Sequence, residues 1–360
     1  MIQSPEEILE YYNRTDAAMR SKLSVPEVQA FSTSTFDQIG WPHSVTRAVD
    51  LVRYTDWCNH PGANDYFIKN AYLPTQCASL LFTSAEAALL RKISRATREF
   101  TRSLGHEVGP ALNHLAQVGP FRIMMEIKKR LGVDQLTVFD VGAGSGYQAA
   151  LLSLAGNRSI LTDNAQGLYL FQSMLLKACF GNADVRDWLL DGPPAGPFDK
   201  LVHMIPWWDY LGLRHSVHSN VDIFFCNNNL GEMNYGAAAY TAHLAKRMMA
   251  TSKIKMFFFT CLGSPKQSAI EMIDELLKRI GFVNVVWGPF WLYTLKDHSL
   301  PTNLFDFAND IPRWYHKQGD NEPLLTPYDI IELDQNALPT DLDFVAFTGV
   351  FDINKHLSFK

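Results

Sequence analysis

Asp140, Gly142, Ala143, Gly144, Gly146 and Tyr147 stand together in one stretch, Leu136-Thr-Val-Phe-Asp-Val-Gly-Ala-Gly-Ser-Gly-Tyr-Gln-Ala-Ala-Leu-Leu. An apolar run ends in a carboxylate, passes through three alternating glycines and resumes as an apolar periodic segment. That order reads as a buried strand, a tight turn and the opening of a helix. Glycines at this spacing let the backbone turn sharply and let a ligand approach with no Cβ in the way. The helix opening offers free N–H groups and a favourable dipole to polar ligand groups. A dinucleotide turn needs Gly-x-Gly-x-x-Gly or Ala, with a small residue at position 147. Tyr147 is too large for that packing, and the third glycine comes one residue early. The carboxylate of Asp140 suits a ligand bearing an ammonium group and no phosphate.

Other residues have chemistry of their own. Asp163 ends the next apolar run, 23 residues after Asp140. That is near the spacing of roughly 20 residues for an acid that accepts hydrogen bonds from ribose hydroxyls. Asn164 follows it, and Asp163 is also a good helix cap. His203 has an intrinsic pKa suited to a general base. Trp207 and Trp208 follow it as candidates to line a substrate pocket. Asn227, Asn228, Asn229 and Glu232 come after a wholly apolar run, which places several hydrogen-bonding groups at a carboxyl edge, where open α/β sheets bind ligands. Asn227, Asn229 and Glu232 are the substrate-binding candidates among them, and Glu232 is a second candidate base. His215 and His218 lie three apart in a loop without an evident partner carboxylate, so no metal is expected. His243 falls within a helical pattern.

The form Asp140-x-Gly142-x-Gly144-x-Gly146 resembles the first motif of class I S-adenosyl-L-methionine-dependent methyltransferases. The resemblance implies a Rossmann-like α/β sheet, mostly parallel with an antiparallel edge strand, and S-adenosyl-L-methionine lying across the strand ends. Asp140, Gly142, Ala143, Gly144, Gly146, Tyr147, Asp163 and Asn164 would then contact the cofactor. In such enzymes an acid after the third strand stands near the adenine amino group. Asp184-Val185 and Asp187-Trp188 both qualify, and Asp184 follows the glycine break sooner. His203 would border the cofactor at the exit of the fourth strand, where catalytic groups sit. The Pro206-Trp207 pair there resembles the end of the Asn-Pro-Pro-Tyr motif of amino-methylating enzymes. Met204 and Ile205 replace its first two residues, which speaks against a nucleobase or glutamine acceptor.

Thr162–Tyr169 and the Asn-rich segment ending in Glu232-Met233 are similar to a narrower group, the sugar O-methyltransferases of bacterial polysaccharide and secondary-metabolite clusters. This similarity spans roughly residues 120–290. It implies O-methylation of a sugar or related hydroxyl on a small polar metabolite. Three other readings stay open: an NAD(P)-dependent oxidoreductase, a non-catalytic scaffold that binds the cofactor, and N-methylation of a small molecule or peptide.

The elements that must position these residues follow from composition and period. With 360 residues, 47% of them hydrophobic and 19% charged, the chain can bury one large core and an appended part. Its apolar runs are strand-sized, its N-terminus lacks a signal-like core, and its five cysteines show no Cys-x-x-Cys pair. A cytoplasmic protein without membrane spans is expected. A net charge of −5 gives no electrostatic case for nucleic acid. Residues 1–118 read as a helical lid and dimerisation region, with helices from Pro5, over 44–58 and over 84–104. His60–Asn64 is a turn cluster. Residues 119–296 read as the cofactor domain. A helix at 121–131 precedes strands near 136–141, 158–163, 199–205, 221–226, 254–260 and 283–295. Helices are expected at 146–155, 165–179, 235–250 and 266–280 between them. Residues 297–360 read as an extension on the sheet, with a strand-like run at 344–351.

Overall fold

Apolar runs bounded by turns form the strands, and periodic segments between them form the helices. The computed structural model describes residues 4–22, 44–52, 81–110, 113–213, 220–227, 229–231, 233, 235–260, 267–287, 290–301 and 303–310. His60–Asn64, His215, His218, Glu232 and the run 344–351 lie outside them. In chain order the described elements are α1 (Pro5–Lys22), α2 (Ser84–Ser103), α3 (Asn113–Ala116), α4 (Val118–Leu131), β1 (Thr137–Val141) and α5 (Tyr147–Leu154). Then come β2 (Arg158–Asp163), α6 (Gln166–Asp184), β3 (Val185–Asp187), α7 (Trp188–Asp191), β4 (Val202–Pro206) and α8 (Trp207–Gly212). The last are β5 (Ile223–Asn227), α9 (Tyr235–Met248), β6 (Met256–Thr260), α10 (Gln267–Ile280), β7 (Phe282–Trp287) and β8 (Trp291–Leu295).

The strands form one sheet in the order β3-β4-β2-β1-β5-β6-β8-β7. Pairing is parallel from β3 across to β6, and the antiparallel pair β8–β7 closes the other edge. This is a Rossmann-like α/β sheet of the expected class. Residues 202–206 form the fourth strand in chain order, β4, which lies beside β2 on the outer side and pairs with the three-residue β3 beyond. The strand next to β1 on its other side is β5.

The central strands are covered on both faces, so they read as continuous apolar runs and do not alternate. Phe224, Phe225, Phe257, Phe258 and Phe259 are all fully buried. Val138, Leu161, Met204, Phe225 and Phe258 join one core with residues of α2, α5 and α6. Phe139, Ile160, Ile205, Phe224 and Phe257 join the other with α9 and α10. The period-2 alternation of side chains along each strand accounts for this division. The N-terminal helices share the first core through Leu9, Tyr12, Leu90, Ile93 and Phe100.

Local signals explain the helix ends. Ser4 caps α1, with the Glu7 N–H donating to Ser4 Oγ (3.2 Å) and the Ser4 N–H to Glu7 Oε2 (2.9 Å). The cap of α2 is Thr83, one residue earlier than Ser84, because Thr83 completes a capping box with Glu86. Glu86 also receives Arg122 of α4 in a two-pronged pair at 2.6 and 2.7 Å, where Arg122 is 6% exposed. Gly132 ends α4 in the left-handed region. The α6 segment runs further than its sequence suggests, to Asp184, with a break at Gly181 (φ +73°). No helix among the described residues is long and apolar enough to cross a membrane.

Candidate functional site

β1 has β2 on one side and β5 on the other. The chain moves outward from β1 through β2 to the edge strand β3, steps back to β4, then crosses to β5 and continues outward through β6. The order therefore reverses between β1 and β5, and an open α/β sheet binds ligands at the carboxyl ends flanking such a reversal. The Asp140–Gly146 turn leaves β1 at this point.

The turn is held from several sides. The Gly142 and Ala143 N–H groups donate to Thr162 O on β2 at 2.9 and 3.2 Å. Gly142, Gly144 and Gly146 have φ of +65°, +57° and +76°, a region that costs other L-residues about 1–2 kcal/mol each. The Asn229 amide from the β5 exit donates to Val141 O and packs on Gly142. A Cβ on Gly142 would stand 2.9 Å from the Asn229 Cγ. Gln172 of α6 donates to Gly144 O at 2.5 Å, and Asp163 Oδ2 accepts the Gly144 N–H at 2.9 Å. Around Gly144 itself, apart from its chain neighbours, no atom of the described residues lies within 4 Å of where a Cβ would be. The turn thus presents its middle glycine to open space while its flanks are clamped.

Electrostatics mark the same place. Asp140 is 1% exposed, and among the described residues neither of its oxygens has a hydrogen-bond partner. Burial pushes its carboxyl well above the usual carboxylate range, and the nearby charge of Asp163 adds to this. Burial raises Asp163 to about 7, opposed by the N–H groups of Ala165, Gly144 and Asn164. Gln148 (both amide atoms), Gln172 Oε1 and Asn229 Oδ1 are also buried without partners among the described residues. Buried polar atoms are nearly always paired in folded proteins, so each such atom needs an explanation. Those of Asp140, Gln172 and Asn229 belong to residues at one turn, while Arg186 Nε, Trp291 Nε1 and His298 Nε2 are further such atoms elsewhere.

The expected site residues divide. Asp140, Gly142, Ala143, Gly144, Gly146, Asp163, Asn164 and Asn229 come together at the crevice. Asn227 ends β5 there too, but its amide donates to Gln117 Oε1 (2.8 Å) and accepts from Thr260 Oγ1 (2.6 Å). It therefore fixes the edge of the crevice. Tyr147 starts α5 beside the turn, yet its ring is buried against His114 and Phe171. Trp207 and Trp208 are buried as well, beneath α1: Trp207 Nε1 donates to Asp16 Oδ1 at 2.8 Å, and Trp208 meets Tyr12 at 5.2 Å.

Three expectations are corrected. His203 pairs with Ile160, three positions before the Asp163–Pro206 level, and so lies on the order of 10 Å back from the carboxyl edge. It is fully buried; Nδ1 accepts from Trp188 Nε1 (3.2 Å) and Nε2 faces the Lys200 N–H (3.0 Å). Burial lowers its pKa to about 4, which keeps it neutral. It is a core histidine. Asp184 is exposed at the end of α6, and Val185 starts β3 at the amino edge, on the wrong side of the sheet for a cofactor. Their alternative, Asp187, is fully buried and engaged by Tyr169 Oη (2.6 Å), Ser173 Oγ (2.6 Å) and Lys177 Nζ (2.9 Å). His243 is exposed on α9.

Gln148, Gln172 and Tyr12 were not singled out by sequence. Gln148 and Gln172 had one signal: each interrupts an apolar run, Tyr147–Leu152 and Leu168–Leu176.

Fold and site together define a doubly wound α/β protein with a cluster of buried polar groups where its strand order reverses. No protein-family model matches the chain, and no curated protein matches it. Solved structures do resemble it. Magnesium protoporphyrin IX methyltransferase from Synechocystis PCC 6803, with bound S-adenosylmethionine, is 12% identical over 58% of this chain and 97% of that one, with a TM-score of 0.36. A TehB-like S-adenosylmethionine-dependent methyltransferase from Corynebacterium glutamicum is 13% identical, covering 49% and 88%, with a TM-score of 0.34. The bifunctional kinase-methyltransferase WbdD is 11% identical, covering 52% of this chain and 40% of that one, with a TM-score of 0.36. These are likenesses of scaffold.

Proposed function

We propose that the protein is an S-adenosyl-L-methionine-dependent methyltransferase acting on a hydroxyl of a small polar metabolite such as a sugar. The observation that carries the cofactor is the buried carboxylate of Asp140 near the end of β1, which has no partner among the described residues. A buried charge is tolerated only when paired, and an amino-acid ammonium is the cation that fits a glycine turn at a sheet edge. The same carboxylate would repel a pyrophosphate, which weighs against a dinucleotide.

Each residue has a part. Asp140 would receive the ammonium group and Asp163 the ribose diol, using lone pairs beyond those taken by Gly144 and Ala165. Gly144 leaves the space that the ligand backbone needs. When bound, S-adenosyl-L-methionine supplies an electrophilic methyl on a sulfonium. The chain's own task is to hold an acceptor oxygen in line with it and to exclude water. Asn229 and the β5 exit border the acceptor side, which supports a hydroxyl-rich acceptor and agrees with the sugar O-methyltransferase similarity. Glu232, three residues further on, is the proposed base for the hydroxyl proton.

Calorimetric titration of the full chain with S-adenosylhomocysteine tests the cofactor. Binding with one site per chain is expected. A folded sample that does not bind overturns the proposal.

A further inference from the structure

Tyr12 of α1 is 1% exposed, and its hydroxyl has no hydrogen-bond partner among the described residues. Its ring sits between Tyr169 of α6, at 5.5 Å, and Trp208 of α8, at 5.2 Å. Those two elements leave the carboxyl ends of β2 and β4, where Asp163 stands level with Pro206. α1 is seated there by specific polar contacts. Trp207 Nε1 donates to Asp16, whose carboxylate also takes Arg20 Nε at 2.8 Å, and the Arg20 guanidinium lies 5.0 Å over the Trp207 ring. Gln166, just past Asp163, donates to Asn13 and accepts the Val45 N–H at 2.6 Å. Glu6 accepts the Ala48 N–H at 2.9 Å. A helix so fixed brings one buried hydroxyl, unbonded among the described residues, to the side of the sheet that holds Asp163.

We propose that Tyr12 is a ligand-positioning residue: its hydroxyl bonds to the nucleoside part of the ligand whose ribose Asp163 receives, so α1 forms one wall of the nucleoside site. This rests on the cofactor reading given above. Burial, with the charges of Asp16 and Asp163, keeps the phenol protonated and therefore able to donate. The residue is 1% exposed and its ring meets two aromatic neighbours at tilted angles of 44° and 57°, which leaves the phenol little freedom to turn elsewhere. An unpaired buried hydroxyl costs the ligand-free chain stability, and a bond to the ligand recovers that cost.

The test compares the full-length wild type with Tyr12→Phe, measuring S-adenosylhomocysteine affinity and ligand-free melting temperature on the same samples. The expected result is a dissociation constant about 3- to 10-fold higher, as for one hydrogen bond. The melting temperature should be unchanged or raised. Asn13→Ala loosens α1 from Gln166 while leaving the Tyr12 hydroxyl in place, and it should also weaken binding. Unchanged affinity in Tyr12→Phe overturns the inference, as does a lowered melting temperature with unchanged affinity. If the wild type itself does not bind, the cofactor reading falls and this inference with it.

Discussion

Asn229 and Gly142 occupy each other's space: the amide that bonds Val141 O lies where a side chain on Gly142 would have to go. The β5 exit and the β1 turn are thereby locked into one unit at the point of strand reversal, and neither can shift alone.

This lock separates two substitutions that look alike in sequence. Gly142→Ala combines left-handed strain with displacement of Asn229, and should destabilise the ligand-free chain by about 2–4 kcal/mol. Gly144→Ala meets no atom within 4 Å and should cost only the strain, about 1–2 kcal/mol, while still abolishing ligand binding. Chemical denaturation and calorimetry on both variants check this. Equal losses of stability would contradict the geometry.

Asp140→Asn should stabilise the ligand-free protein and abolish ligand binding. The sign follows from the raised folded pKa. A carboxyl raised on folding contributes its stability below its unfolded pKa of about 4 and loses it as pH rises through the folded value. The wild type therefore loses this contribution towards neutral and alkaline pH, and the variant does not. Asp163, at about 7, acts in the same direction between about pH 4 and 7 in both proteins. The variant's advantage in melting temperature should be smallest in acid and widen towards pH 8. A difference that does not change with pH would refute the assignment.

Glu86 and Arg122 form a buried pair that ties α2 to α4 while Glu86 completes the cap of α2. Arg122→Met leaves a buried carboxylate without its partner, and should cost about 3–5 kcal/mol. Replacing both, as Glu86→Gln with Arg122→Met, should recover part of that loss. A denaturation series on the single and double variants measures the coupling, and additive losses would show that the pair does not act as one.

How much of this was legible depended on whether a signal was local. Asp140, the three glycines and Asp163 were readable because turn chemistry and strand ends are written within a few residues. The opening of α1 at Pro5 and the end of α4 at Leu131 were readable for the same reason. His203 and Asp184 were misplaced because they depended on which strand lies beside which. The three-residue β3 is too short to announce itself, and His203, level with Ile160, is buried three positions back from the exit of β4. Gln172 and Tyr12 meet the turn and the end of β4 from helices whose sequences describe only their own packing. Partnership between Tyr12 and Trp208 is a property of the folded chain, and neither neighbourhood encodes it alone.

The lock between residues 141 and 229 joins positions 88 apart in sequence, and the seat of α1 on Trp207 joins positions 191 apart. During synthesis the glycine turn emerges well before the amide that covers it, and α1 waits longer still for the indole it rests on. An unfinished chain therefore carries the motif without the site. On the proposed function, ligand capture would report that β5 has returned to the centre of the sheet, and the ligand would stabilise only chains that have completed that return.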